Sequence, residues 1–404
     1  MLNNSHGQVG TLSWTAPLII FFFLAVLVRA RSDSYWLFAF LLVWLAARAV
    51  VRLTLRRLSI THDMDRDHLF PGERVRFTLR VKNRSPLPAP WVWVEDRVPS
   101  ALLRGPALSH VATMPPGGER VYEYEVQATE RGIYRVGHIE VSLGDWFGLR
   151  ELGGVVDEER WLTVYPRVTS VPPLRLPARI PVGPRRDPAS PFQDLQPIGV
   201  RRYLPGDPLR LIAWKATARR GELMVKEQPL VRERVTTFFV DLVRGDWDPS
   251  RRFELMEKAV TITASLVWWE ADPHHALGLV TYGQVVRSVP EGIGHEREAP
   301  GMLRVTPRPG AAQRRAILEA LAGLQPADGR PFVEWFREEA RRLPWGGTVV
   351  VLAPTNTREL VEACSLLQRR GRPVVMLVFE PRRTMRAPFP VYEIDTVGAE
   401  VRLV

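Results

Sequence analysis

The 404-residue sequence holds a single cysteine, Cys364, which excludes an internal disulfide and any zinc site built from several thiolates. Nothing in it asks for an oxidising compartment. The usual catalytic signatures are missing as well: there is no Gly-x-Ser-x-Gly, no His-Glu-x-x-His, no Gly-x-x-x-x-Gly-Lys-Ser/Thr and no Cys/His array. The familiar hydrolase, zinc-protease and nucleotide-binding loops therefore have no residues to build on. Lysine is scarce. The 55 Lys plus Arg against 44 Asp plus Glu give a formal charge of +11, which could attract anionic lipid or nucleic acid. The arginines are scattered rather than massed, however, and the aromatic-interleaved basic stripe of a single-strand binder is absent. Nucleic acid is the weakest of the partner classes that this charge admits.

What is present begins with two apolar runs, Leu12 to Val28 and Ser34 to Val51, each close to the ~20 residues a spanning helix needs. Only Arg29 to Asp33 lie between them, so residues 1–57 are expected to form a two-helix transmembrane hairpin. Trp14, Tyr35 and Trp36 then fall near the interfaces. A cleaved signal peptide is disfavoured, because no basic n-region precedes the first run and no small-x-small site follows it. Arg48, Arg52, Arg56 and Arg57 outnumber Arg29 and Arg31, so the positive-inside bias places the body in the cytosol. The expectation is a two-pass inner-membrane protein with the lipid bilayer as one partner.

Residues 58–170 read differently. Val75–Val81, Trp91–Val94, Val121–Val126 and Tyr134–Val141 alternate apolar and polar residues, the period of a strand with one buried face. Pro71-Gly72, Asn83-Arg84-Ser85-Pro86, Pro115-Pro116-Gly117-Gly118 and Arg131-Gly132 supply the turns. A small immunoglobulin-like β-sandwich is expected. Asp63, Asp65 and Asp67 alternate between His62 and His68, but a calcium loop would need glycine in place of His68 and glutamate in place of Arg74. That stretch reads as a solvated connection between strands. Residues 171–200, with Pro172, Pro173, Pro177, Pro181, Pro184, Pro188 and Pro191, read as a stiff proline-rich linker.

Residues 201–404 open on the most unusual stretch, Arg201 to Arg219. Pro205-Gly206 suits a type II turn, Asp207 an N-cap and Pro208 the first helical position, so a helix is expected from there until Gly221 ends it. Arg210 and Trp214 would stack within that helix. Leu209, Ile212, Ala213 and Ala216 would form its packing face. Two readings stay open. One is a capped helix whose Asp207 pairs with Arg210 or a neighbouring arginine; the other is an anionic docking site for a phosphate or an acidic partner surface.

Arg201, Tyr203, Gly206, Asp207, Arg210, Ile212, Trp214, Lys215, Thr217, Ala218 and Arg219, with Val225-Lys226-Glu227 after them, resemble the signature of the domain-of-unknown-function 58 family. Arg131-Gly132-x-Tyr134 and Asp145-Trp146-Phe147-Gly148-Leu149 look like its usual lead-in. The resemblance implies a membrane-anchored protein that works with a MoxR-type AAA+ ATPase and carries a von Willebrand factor type A-like domain after the signature.

From Val235 onwards the chain alternates strand and helix, as a parallel α/β (Rossmann-like) sheet requires. Thr236–Leu242, Ala276–Tyr282, Thr348–Leu352 and Val374–Phe379 read as strands. Phe253–Ala271, Ala311–Leu324, Phe332–Arg342 and Arg358–Arg370 read as helices, with Cys364 on a core face. Type A domains that hold magnesium end their first strand in Asp-x-Ser-x-Ser; here it ends Asp241-Leu242-Val243-Arg244-Gly245. The aspartate stands and both serines are missing, so Asp241, with Asp246 or Asp248 as substitutes, is a weak metal candidate and no cofactor is expected. His274 and His275 are adjacent and make poor joint ligands.

The function expected from all this is non-enzymatic: a membrane-tethered interaction or assembly factor serving a MoxR-type ATPase and other protein clients. Its binding residues are expected to be Arg201, Tyr203, Gly206, Asp207, Arg210, Trp214, Lys215 and Arg219. The alternative is a metal-dependent hydrolase or envelope-processing enzyme with its site near Asp241, and a basic nucleic-acid-binding domain is the third reading.

Overall fold

The computed structural model describes residues 34–403 apart from 101, 103–107, 146–150, 173–198, 206, 208, 228–233, 271, 290–294, 344–346, 381–385 and 396–400. A helix, α1 (Ser34–Arg56), leads into eight strands: β1 (Leu58–Met64), β2 (His68–Leu69), β3 (Arg74–Asn83), β4 (Ala89–Asp96), β5 (Leu108–Met114), β6 (Glu119–Gln127), β7 (Gly132–Gly144) and β8 (Glu151–Val164). The four runs with period-two alternation lie in β3, β4, β6 and β7. β1, β3 and β6 form one antiparallel sheet, and β5, β4, β7 and β8 form the facing one, with β2 joined parallel to the end of β8. Their inward residues make two adjoining cores. Val81, Val92, Ile139 and Val141 lie in one, and Phe77, Val126, Val136 and Leu162 in the other, each side chain contributing roughly 1.5–3 kcal/mol on burial.

The second half carries β9 (Gly199–Arg202), α2 (Trp214–Arg220), β10 (Met224–Glu227), β11 (Val235–Val240), α3 (Arg252–Trp268), β12 (Ala276–Ser288), β13 (His295–Arg297), β14 (Gly301–Arg308), α4 (Ala311–Gly323), β15 (Leu324–Gln325), α5 (Phe332–Arg342), β16 (Thr348–Ala353), α6 (Arg358–Arg369), β17 (Val374–Val378), β18 (Val391–Ile394) and β19 (Val401–Leu403). β12, β11, β16, β17 and β18 run parallel, with β11 between β12 and β16. Successive residues point to opposite faces. Phe238, Val240, Val350, Leu352, Val375 and Leu377 join the core containing residues of α3 and α4. Phe239, Val349, Val351, Val374 and Met376 join the core containing residues of α5 and α6. Such double burial explains why these strands read as unbroken apolar runs. Cys364 lies in the second core, where burial pushes its thiol well above the usual range.

The two halves share one sheet. The far end of β12 turns away to pair with β7 (Arg287 with Ile133, Ser288 with Tyr134), so a 14-stranded sheet passes through both. Arg131 secures the junction. Its side chain is 5% exposed, its Nε donates to both Glu257 carboxylate oxygens (2.8 and 2.9 Å), and its Nη1 donates to the carbonyls of Leu321, Ala322 and Leu324 at the end of α4. Next to it, Tyr134 donates its hydroxyl to Glu130 O at 2.9 Å, the tyrosine corner of immunoglobulin-like sandwiches. A Cβ on Gly132 would sit 2.7 Å from the Tyr134 ring, so the Arg-Gly-x-Tyr spacing has a mechanical cause.

Two expectations are corrected here. The two-helix transmembrane hairpin is not supported: among the described residues no helix is long and apolar enough to cross a membrane, and Leu12–Val28 lies outside them. α1 runs through Arg48 and Arg52 to Arg56, and its last turns belong to the sandwich. Val51 and Thr54 are fully buried, Val51 sits in the core with Ile60 and Val141, and Thr54 Oγ1 lies 3.3 Å from Ser85 Oγ. The finding goes equally against the two-pass inner-membrane location. The second correction concerns His62 to His68. His62 is within β1 and buried, stacked on Phe77 with ring centroids 5.1 Å apart, so only Asp65 to Asp67 connect strands. The proline-rich linker lies largely in residues 173–198, outside the described residues.

Candidate docking site

The signature segment folds back on itself. β9 and β10 pair antiparallel, with Arg201 opposite Val225, and Tyr203 N continues the ladder to Leu223 O at 2.9 Å. Between the strands come a 3-10 turn at Leu209–Leu211 and then α2. Helix was expected from Pro208, but it begins at Trp214, because the intervening backbone is spent on the sheet. Ile212 bridges Val225, and Ala213 N donates to Met224 O at 2.8 Å. Asp207 is turned backwards too. It accepts both guanidinium arms of Arg201 (2.7 and 2.8 Å) and the Leu204 N–H (2.9 Å). The Arg201 bonds first, and the Leu204 N–H second, hold its carboxyl at about 2, against a usual 3.8.

Gly221, at φ +70°, ends α2 by donating its N–H to Thr217 O, as a left-handed C-cap does. Thr217 Oγ1 accepts from Met224 N at 3.0 Å. Ile212, Ala213, Met224 and Val225 are buried and fill the small interior. Gly206, Pro208 and the Arg210 side chain fall outside the described residues, so the expected Arg210–Trp214 stack lies there too.

The outside of this unit is unlike its inside. Trp214 is 68% exposed, Leu209 69% and Leu204 61%, with Leu223 and Val200 also outward. Glu222 pairs with Arg202, whereas Lys215, Arg219, Arg220 and Lys226 are exposed and have no acidic partner among the described residues. Of the eight expected binding residues, Arg201 and Asp207 form the internal lock, Tyr203 continues the ladder through its backbone, and Trp214, Lys215 and Arg219 face out.

The sheet edge near Asp241 is arranged otherwise. Asp241 is 1% exposed, accepts the Val243 N–H at 3.0 Å, and burial pushes its carboxyl well above the usual range. Asp246 accepts the Phe332 N–H at 2.7 Å, at the start of α5, and is raised by burial; Asp248 closes a turn on Ser250. Each candidate carboxylate is thus engaged by nearby backbone or side-chain donors. Sequence reasoning missed two buried polar clusters. His275 bridges Glu270 (Nδ1, 2.7 Å) and Thr236 (Nε2, 2.8 Å), and Asp96 takes His62 Nε2 at 3.0 Å and the Tyr124 hydroxyl. Glu270 and His275 are close in sequence, but Thr236, and the trio His62, Asp96 and Tyr124, are brought together only by the tertiary fold, so no spacing could have found those contacts.

Residues 199–343 match the family described as "Protein of unknown function DUF58". This stretch, about a third of the chain, is similar to the DUF58 family. It opens at β9 and closes just after α5, so the docking unit forms its start. The chain is also 26% identical over 275 residues to "Uncharacterized protein YeaD" of Bacillus subtilis (strain 168), covering 65% of this chain and 66% of that one; it spans just under two thirds of that relative's length. Among solved structures, the CARDB domain of the PF1109 protein from Pyrococcus furiosus is 18% identical, covers 26% of this chain and 86% of that one, with TM-score 0.19. The cupredoxin domain of amoB from Nitrosocaldus yellowstonii is 17% identical, covers 28% and 89%, with TM-score 0.20. At such TM-scores neither bears on fold or function.

Proposed function

We propose that this protein is a docking or assembly factor without chemistry of its own, and that the DUF58-like segment's first unit, residues 199–227, is the surface it offers to a protein partner. The carrying observation is Trp214, 68% exposed at the start of α2. The unit fixes its own interior and keeps its largest apolar side chain in water, with Leu209 and Leu204 likewise outward and Lys215 next in sequence. Exposed tryptophan beside arginine and lysine is the composition of an interface anchor. The partner suggested by the family resemblance is a MoxR-type AAA+ ATPase, and the same resemblance reads the α/β half as von Willebrand factor type A-like. Its central parallel strand with Asp241 at the carboxyl edge is in keeping with that reading.

The test is a titration of the full chain with a purified MoxR-type ATPase from the same cell. Trp214→Ala and Lys215→Glu lie on the exposed surface, so both variants keep the unfolding midpoint of the parent. Each is expected to weaken binding by about tenfold or more. No binding by the parent chain, or unchanged binding by Trp214→Ala, overturns the proposal.

A further inference from the structure

β5 closes one end of the sheet that runs through both halves, and among the described residues it pairs only with β4. An edge strand presents a row of unpaired N–H and C=O groups, and proteins blunt such edges with charge, proline or a bulge. β6, the edge of the facing sheet, follows that rule with Glu119, Arg120, Glu123 and Glu125. Glu119 meets Lys82, and Glu125 meets Arg74 and Arg76. β5 carries no charge or proline, and a register shift against β4 occurs only at its last residues, between the Val92–Ala112 and Ala89–Met114 pairs. Its seven residues, Leu-Ser-His-Val-Ala-Thr-Met, include no acid, lysine, arginine, proline or glycine. Ser109, Val111 and Thr113 stand exposed on one face, Val111 at 68%.

We propose that β5 is a self-association edge, to which a second copy of this chain adds its own β5 antiparallel about a two-fold axis at Val111. Val111 is the central residue of Leu108–Met114. The axis therefore sets Val111 against Val111, Ser109 against Thr113, His110 against Ala112 and Leu108 against Met114. β-branched and hydroxyl pairs favour an antiparallel ladder, and an isologous contact demands this kind of self-complementarity. β6 shows the contrast: pairing with itself about its middle residue would oppose Glu123 to Glu123, a like-charge contact that destabilises. One seven-residue ladder is smaller than a standard interface of about 1,600 Å², which fits a reversible dimer rather than a permanent one.

Sedimentation of the full chain between about 1 and about 100 μM, a range that brackets micromolar affinity, reads the dimer directly. The parent chain is expected to show concentration-dependent dimer. Val111→Lys, which opposes two ammonium groups, is expected to raise the dissociation constant about tenfold or more. As a second arm, Val111→Cys is expected to give a covalent dimer on mild oxidation that reductant reverses, while the parent, whose Cys364 is fully buried, gives none. A parent that stays monomeric throughout, a Val111→Lys variant that dimerises like the parent, or no covalent dimer from Val111→Cys overturns the proposal. Neither arm touches residues 199–227, so the result is independent of the docking reading.

Discussion

Replacing Arg131 by alanine should destabilise the junction of the two halves more than any surface substitution. The guanidinium is 5% exposed and serves two acceptor sets, the Glu257 carboxylate through Nε and the carbonyls of Leu321, Ala322 and Leu324 through Nη1. Glu257 is half exposed, so solvent screens that pair and its share is at most about 1 kcal/mol. The carbonyls are different. They end α4 in a buried place where no intrahelical donor can reach them, and a charged donor contributes roughly 1.5–3 kcal/mol per bond net. Because one nitrogen serves all three, the loss is not additive; about 3–5 kcal/mol in total is expected, in line with breaking a buried charged network. Urea unfolding, followed together by tryptophan fluorescence and circular dichroism, measures it. Hydrogen exchange should open first where Ile133 pairs with Arg287 and Tyr134 with Ser288. Arg131→Lys recovers little, because an ammonium lacks the fork. Glu257→Gln isolates the screened part and costs about 1 kcal/mol or less. An Arg131→Ala protein within about 1 kcal/mol of the parent would refute the clamp.

Two further outcomes are expected. The Asp207 carboxyl is held at about 2 in the fold against 3.8, so its contribution is fully present above the unfolded value and is lost as pH falls through the folded one. Trp214 emission should therefore stay native from neutral pH to below about pH 4 and change only between about pH 4 and pH 2; in Asp207→Asn that acid step should vanish, and its persistence would assign it to another group. Gly132→Ala drives a Cβ to 2.7 Å from the buried Tyr134 ring, an overpacking expected to cost about 1–3 kcal/mol by chemical denaturation. Tyr134→Phe, which removes only the hydroxyl's bonds to Glu130 O and, more weakly, Arg131 O, should cost about 1 kcal/mol. A Gly132→Ala protein as stable as Tyr134→Phe would mean that the ring moves aside freely.

The sequence was most legible where one period carries the whole signal. Val75–Val81 alternates because one face of β3 meets water, and Thr348–Leu352 does not because both faces of β16 are covered by helices. Both patterns follow from burial alone. β5 was harder to find, since an edge strand in which Leu108 and His110 are half-buried has little hydrophobic contrast to read. α1 misled for the opposite reason: the apolar run Ser34 to Val51 reads as a membrane span when its length alone is considered, and only the packing of Val51 and Thr54 on the sandwich shows what its last turns serve.

Asp207 illustrates the limit at the candidate site. As a residue type before Pro208 it suits an N-cap, and the same short carboxylate suits a turn lock equally well. What decides between them is Arg201, six residues upstream and placed by pairing with Val225. In the folded unit the lock therefore rests on the pairing of β9 with β10. A local motif can name the residues that matter and still assign them the wrong partner, because the competing partner is delivered by the fold. The same reasoning separates the two groups of signature residues. Those paired with each other, Arg201 and Asp207, should register as loss of stability when changed, whereas Trp214 and Lys215, exposed and outside that pair, should register as loss of a partner with the fold intact.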